Sequence, residues 1–426
     1  VKKLHILFII ILIAAPNLIW AQATNQEEKD YSIKWSGFVK NDFFFDSRQN
    51  VTAREGHFLL FPAAKNLDAD GKDINAQPSL NFLAIQSRLT AKLSGPDAMG
   101  AKTSGVIEGA FFGHSNADIN GFRLRHAFIK LDWDKTQLLF GQYWHMMFVP
   151  ECFPGTVSFN TGVPFQYFTR NPQIRITRKI GDKTKIAFAA ATQRDFSSPG
   201  GYSSLSNSAI PDLQAQLQIN ASESFLIGLT SGYKILKPRL ETDLNYIANN
   251  TVGGFTSNLF LKFKNKPITF KAQAIWAQNA FDGLMIGGFM IQDFIDLNKD
   301  YRKYTPINTM SVWTDIHTNG KKYQFGLFAG FTKNMGSFEA IADTVFNGGF
   351  QSSYSRGSNI DYIYRLSPRV HGNFGKFRLA AELEYTAAAY GTNDSNGALN
   401  IDEFAKITDS EVVSNFRVLI AAYYFF

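Results

Sequence analysis

The chain falls into stretches of about ten residues in which apolar and polar positions alternate. The clearest runs from Asp212 to Asn220, where Leu213, Ala215, Leu217 and Ile219 share one face and Gln214, Gln216, Gln218 and Asn220 share the other. A strand sends successive side chains to opposite faces, whereas a helix would scatter this set around its circumference. The same sorting recurs elsewhere. Ile186, Phe188 and Ala190 oppose Lys185; Ile268, Phe270, Ala272, Ala274 and Trp276 oppose Thr269, Lys271 and Gln273; Phe325, Leu327, Ala329 and Phe331 oppose Gln324 and Thr332. Leu83, Ile85, Leu89 and Leu93 read as one apolar face against Gln86, Arg88, Thr90 and Lys92. In the last stretch Phe416, Val418, Ile420, Ala422, Tyr424 and Phe426 lie together, opposite Asn415 and Arg417.

The connections alternate in length. Short turns rich in Gly, Asn, Asp and Pro fall at 134–136, 181–183, 221–224, 265–267, 319–321 and 373–375, and their composition suits tight hairpins. Long polar connections fall between them at 46–79, 149–171, 195–211, 237–252, 280–306, 335–358 and 391–408. Short turns at one end and long loops at the other predict an all-β, transmembrane antiparallel barrel with periplasmic turns and external loops. Counting candidate strands gives about sixteen, with eighteen still open and the stretches 225–236 and 105–113 the hardest to place. A propeller, a sandwich array or a β-helix would need a fixed repeat or a core-facing pattern, and the polar face here is too polar to pack as a core.

Composition adjusts this picture in three places. Aromatic residues make up 15% of the chain, with 40 Phe and 16 Tyr, which a barrel uses against lipid and in its interfacial girdles. The single cysteine, Cys152, cannot form an internal disulfide, so an exported chain must rely on its sheet. The formal charge of +7 comes without runs of five like charges, and no nucleic-acid partner is expected. Lys2 and Lys3 followed by the apolar run Leu4 to Ala15 predict a signal peptide over residues 1–21, cleaved near Ala21. Residues 22–32 are then a short periplasmic lead, and 33–426 the barrel.

If the apolar faces meet lipid, the opposite faces meet a water-filled lumen. Strand parity sends Arg88, Lys92, Gln173, Arg175, Thr177, Lys271, Asp361, Arg365, Arg378, Glu382, Glu384 and Arg417 inward, and the run Phe122-Arg123-Leu124-Arg125 adds Arg123 and Arg125. Cations outnumber acids in this set, and rings of Arg and Lys favour anions. Each arginine has an alternative role as a wall ion-pair partner, with Glu108, Glu382 and Glu384 available. The connection 149–171, which opens with Val149-Pro150-Glu151-Cys152-Phe153, is long yet rich in apolar residues such as Phe159 and Phe165. It is expected to fold into the barrel and narrow it, with Glu151 at the constriction. His57, His114, His126, His145, His317 and His371 show no metal-ligand spacing, and no nucleophile elbow or phosphate-cradling loop is present. No cofactor, metal or catalytic residue is expected.

The stretch Gly121-Phe122-Arg123-Leu124-Arg125-His126-Ala127-Phe128, the segment Leu139-Phe140-Gly141-Gln142-Tyr143-Trp144 and the strand Asn171-Pro172-Gln173-Ile174-Arg175 resemble the DcaP-like porins and related porins of Bacteroidetes. Ser36 to Asp42 is similar to that family's first strand. The resemblance covers residues 33 to 180 and is architectural beyond them. It implies a trimer of sixteen-stranded barrels passing small, often anionic solutes such as dicarboxylates, with Arg123, Arg125 and Arg175 near a constriction loop. The family's N-terminal coiled-coil extension has no counterpart here.

The leading expectation is therefore a passive outer-membrane porin for small hydrophilic, preferentially anionic solutes. Its partners would be the lipid bilayer, lipopolysaccharide, two further copies of itself and, through the C-terminal strand ending at Phe426, the barrel-insertion machinery. The alternatives are a surface-binding or adhesin barrel, or a hydrolase carried on the wall. The last would need a nucleophile beside a histidine near the outer rim; Arg125 beside His126 supplies none, and Ser87 and Ser257 fall on apolar faces.

Overall fold

The computed structural model describes residues 31–113, 118, 120–342 and 353–426. The expected leader over 1–21, the lead 22–30 and His114 lie outside the described residues. In chain order the strands are β1 (Ser32–Asp46), β2 (Asn50–Ala53), β3 (Phe58–Pro62), β4 (Ser79–Leu83), β5 (Arg88–Ser94), β6 (Lys102–Ala110) and β7 (Arg123–Asp132). There follow β8 (Thr136–Trp144), β9 (Arg170–Ile180), β10 (Thr184–Ala191), β11 (Asp212–Ser222), β12 (Phe225–Leu236), β13 (Val252–Lys264) and β14 (Ile268–Gln278). The last are β15 (Gly287–Asp296), β16 (Tyr301–Thr318), β17 (Tyr323–Gly336), β18 (Ser353–Arg356), β19 (Ile360–Phe374), β20 (Phe377–Gly391) and β21 (Ser410–Phe425).

These strands form a closed antiparallel barrel of sixteen staves. β4 and β5 are two halves of one stave, since both pair with β1. β2 and β3 make a separate hairpin, and β15 and β18 extend the outer end of β16. The barrel closes where β1 meets β21, from Phe38 opposite Phe425 to Asp46 opposite Arg417. Closure leaves no unpaired edge, the condition for a sheet to sit in hydrocarbon. The count settles on sixteen, and the two stretches hardest to place are the wall strands β12 and β6.

Alternation survives along most of the wall. On β11 Leu213 and Leu217 are exposed outward while Asp212, Gln214 and Gln218 are buried inward. The predicted face containing Leu83, Ile85, Leu89 and Leu93 requires a correction. Leu80 and Phe82 point out, at 60% and 62% exposure, and Ile85 is buried in the core. Asp42 of β1 stands opposite Leu83 and Phe38 opposite Arg88, so this stave carries one more residue than its neighbour over the same length. An extra residue is a bulge, and it exchanges the two faces beyond it.

The short turns gather at one end and the long connections at the other. The turn between β5 and β6 and the connection between β6 and β7 complete the alternation. Three long connections share one device, used four times: the seven-residue turns 67–73, 241–247, 393–399 and 401–407, each closed by an antiparallel bridge between its first and last residues. In each, the second residue (Asp68, Thr242, Asp394, Asp402) donates its N–H to the sixth carbonyl. Its side-chain oxygen accepts from the N–H groups of the fourth and sixth residues. The fifth residue (Gly71, Asn245, Gly397, Ala405) takes a positive φ between 60° and 82°, which closes the turn.

The principal apolar core lies inside the wall. Phe58 and Leu60 of β3 pack with Phe148, Phe159, Val163, Phe165 and Phe168 of the connection after β8, against wall residues such as Trp313, Phe328 and Ile363. The outer part of the lumen is therefore filled by two inward-folded loops. Among the described residues no helix is long and apolar enough to cross a membrane, and no group of three or more His, Cys, Asp or Glu side chains could hold a metal ion.

Candidate pore and inward loop

The connection between β8 and β9, residues 145–169, crosses the barrel and is tied to the wall along its length. Its first turn is held by β11, where His145 Nε2 lies 2.9 Å from Asp212 and the Met146 N–H donates to Gln214 at 3.0 Å. The next carbonyls accept from wall side chains: Met147 from Asn258 at 3.0 Å, Cys152 from Gln273 at 2.6 Å and Phe153 from Lys271 at 2.9 Å. At the far wall the N–H groups of Val157 and Ser158 donate to the Glu382 carboxylate at 2.5 and 3.3 Å, and Lys40 donates to the Val157 carbonyl at 2.8 Å. On the return, Arg365 donates to the Val163 carbonyl and Ser311 to that of Phe165. The Tyr167 hydroxyl donates to Asp282 at 2.7 Å. Burial would raise the Asp282 carboxyl, but Lys234 and this hydroxyl hold it below the usual carboxylate range. Buried polar groups need such partners, and seven strands and one loop supply those named here.

Below this loop, toward the short turns, lies a cavity of about 480 Å³. Arg88, Arg125, Lys271, Arg369 and Arg378 line it, with His317 and His371, and no Asp or Glu is among its described lining residues. The acids stand behind the basic surface. Glu108 accepts from Arg125 at 2.8 Å and lies 3.6 Å from Arg88; Asp315 holds Arg369 through two bonds of 2.7 and 3.0 Å. Arg125, Phe159 and Phe168 lead from the cavity into a slot of about 10 Å³, flanked by Arg123 and Arg170 and by Phe58 and Phe112. A volume of that size holds roughly one water. Arg123 and Arg170 share Asp195, and Arg170 stacks over Trp144 at 4.3 Å. The Nε and Nη2 groups of Arg170 are buried without a hydrogen-bond partner in the structure.

A second chamber of about 350 Å³ lies on the β8–β11 side of the loop, and Phe148 and Pro150 line both. Arg175 and Glu151 are found here. Arg175 donates to the Trp144 carbonyl at 2.6 Å and to Gln173 at 2.9 Å.

The remaining sequence candidates are distributed as follows. Arg365 is 2% exposed and spans the two inward loops, donating to Val163 and to Leu59 at 2.8 Å each. Arg417 is 1% exposed and grips Asp46 through bonds of 2.9 and 2.7 Å. Lys92 stands opposite Lys34 near the short-turn end. Asp361, which parity sent inward, pairs with Lys333 at 3.0 Å next to a register shift in β19. Two arginines of the site were not singled out from the sequence. Arg369 shares the parity of Arg365 and was legible on that ground; Arg170 was not, because strict alternation puts it opposite Gln173 and Arg175.

No protein-family model matches the chain, and no curated protein sequence matches it significantly. Solved structures do. The outer membrane channel DcaP of Acinetobacter baumannii superposes with a TM-score of 0.65 at 16% identity, covering 95% of this chain and all of that one. An anion-selective porin from Comamonas acidovorans gives 0.54 at 11% identity, over 93% of this chain and all of that one. The trimer form of OmpT, an outer membrane protein of Vibrio cholerae, gives 0.54 at 10% identity with the same coverage. At these identities the likeness is one of fold, and the fold of this chain is that of the sixteen-stranded outer-membrane porins, DcaP among them.

Proposed function

We propose that this chain is an outer-membrane porin through which small hydrophilic solutes diffuse passively, with anions preferred. The observation that carries the reading is the cavity under the inward loop: five Arg and Lys side chains line it, and the carboxylates paired with Arg88, Arg125 and Arg369 are set back in the wall. A negative solute in a narrow, low-dielectric passage is stabilised by such a surface, and a positive one repelled. We place the constriction where the inward loop narrows the lumen, with Arg123, Arg125 and Arg170 beside it, and dicarboxylates are the solute class that two or more facing guanidinium groups suit. The fold of the DcaP channel and of an anion-selective porin supports the reading. We further propose export behind a leader cleaved near Ala21, insertion through the C-terminal strand, contact with lipopolysaccharide at the outer rim, and a homotrimer. No covalent chemistry is assigned to the chain.

Single-channel recording in planar bilayers tests this. Stepwise openings with a reversal potential of anion-selective sign are expected across a KCl gradient. Charge reversal at Arg123 together with Arg175 is expected to weaken that preference. A chain that folds into membranes without conducting would refute the porin reading; unaltered selectivity in the double variant would make those two arginines wall groups.

A further inference from the structure

The chamber on the β8–β11 side of the loop differs in chemistry from the arginine-lined cavity. Its cations are mostly ammonium groups (Lys130, Lys179 and Lys185 beside Arg175), and its neutral lining is rich in amides and aromatic rings. We propose that it is a second solute site and that it takes hydroxylated organic anions of the sugar-acid class. The proposal rests on the porin reading and narrows it.

Three observations support the assignment. First, positive charge is in excess. The chamber's acids are Asp132, already accepting a hydrogen bond from Gln137 at 2.5 Å, and Glu151, while Lys130 and Lys185 form no ion pair among the described residues. Second, the amides are open to a ligand. Gln216 spends its Nε2 on Thr230 at 2.8 Å and Met146 at 3.3 Å, which leaves its carbonyl oxygen as an acceptor. Gln218, two residues along the same inward face, makes no side-chain hydrogen bond with another described residue. Third, the aromatic rings of Tyr143 and Phe148 also line the chamber. A ligand such as adipate offers acceptors only, so it can satisfy the ammonium groups but not the amide oxygens. A sugar acid brings hydroxyl donors to those oxygens, a carboxylate to the cations and a C–H face to the rings.

The test is block of the ion current through the reconstituted channel by glucuronate and by cyclohexanecarboxylate. These are ring monoanions of equal charge that differ in their hydroxyl groups. Glucuronate is expected to block at severalfold lower concentration. In the double variant Gln216→Leu with Gln218→Leu, that advantage is expected to fall by about fivefold or more, since two amide contacts are lost, while cyclohexanecarboxylate block keeps its strength. Heat-modifiable gel migration verifies that the variant barrel has folded. Equal block by the two anions, or a variant that weakens both alike, overturns the inference and leaves the porin reading standing. A wild-type chain that does not conduct overturns both.

Discussion

The far end of the inward loop hangs on one carboxylate, and this permits a quantitative prediction. Glu382 accepts the N–H groups of Val157 at 2.5 Å and Ser158 at 3.3 Å. A bond from a backbone N–H to a buried carboxyl oxygen contributes about 0.5–1.5 kcal/mol, and an N–H left buried without an acceptor costs about 1–3 kcal/mol, so loss of the pair costs roughly 2–5 kcal/mol. Glu382→Leu removes both bonds and leaves both N–H groups without acceptors. Glu382→Gln keeps one acceptor oxygen and exchanges the other for an amide donor, which roughly halves the effect, to about 1–2 kcal/mol. Lys40 on the Val157 carbonyl and the Asn160 amide on Glu384 still hold the flanks, so the expected outcome is a loosened turn at 156–158 in an intact barrel. In single-channel recordings the leucine variant should flicker between sublevels within the open state. The glutamine variant should do so less often, and both should migrate as folded barrels on unheated gels. Quiet, wild-type-like openings in Glu382→Leu would refute the claim that this carboxylate positions the loop.

Three further outcomes follow from the geometry. Arg417→Leu breaks the buried bidentate pair with Asp46 and should cost about 3–5 kcal/mol in denaturant unfolding; adding Asp46→Leu should recover most of the loss, and a double variant as unstable as the single one would count against the pair. Desolvation would raise the Asp300 carboxyl, yet its bonds from Arg239 and Arg302 bring it down to about 2, so the tie it makes between the β12–β13 connection and the β15–β16 turn is complete at neutral pH and weakens as pH falls below about 4 toward 2. Asp300→Asn should therefore speed protease cleavage near residues 239–247 at neutral pH, and an unchanged cleavage rate would remove the tie from the account. A Cβ at Gly37 would sit 2.2 Å from the Arg88 carbonyl and 2.7 Å from the Phe426 ring, so Gly37→Val should slow barrel assembly, read as the fraction of heat-modifiable protein after refolding.

The fold was legible because lipid and water impose a period of two on every stave, and because closure places all the short turns at one end. That is why Asp212 to Asn220 and Asn415 to Phe426 could be assigned residue by residue. The bulge at 84–87 was not legible: nothing in Ala84-Ile85-Gln86-Ser87 marks an added residue, and parity carried across it reverses Leu83 and Ile85. The site divided in the same way. Parity identifies a face, so Arg88, Arg125, Lys271, Arg365, Arg378 and Arg417 could all be placed inward. It carries no information on height along the barrel or on which groups a folded-in loop will cover. Arg365 and Arg417 meet loop backbone and Asp46, while Arg88 and Arg378 meet the cavity. That difference depends on contacts between residues hundreds of positions apart.

The four closed turns at the outer end have a consequence for how this surface can change. Each satisfies its own backbone through a single Asp or Thr oxygen and one residue of positive φ, so its other side chains, Leu244 and Ile247 among them, carry little of the burden of keeping the turn closed. Substitution at those positions leaves the hydrogen bonds in place. The face presented to the outside can therefore be rewritten residue by residue while the wall and the channel beneath it remain as they are.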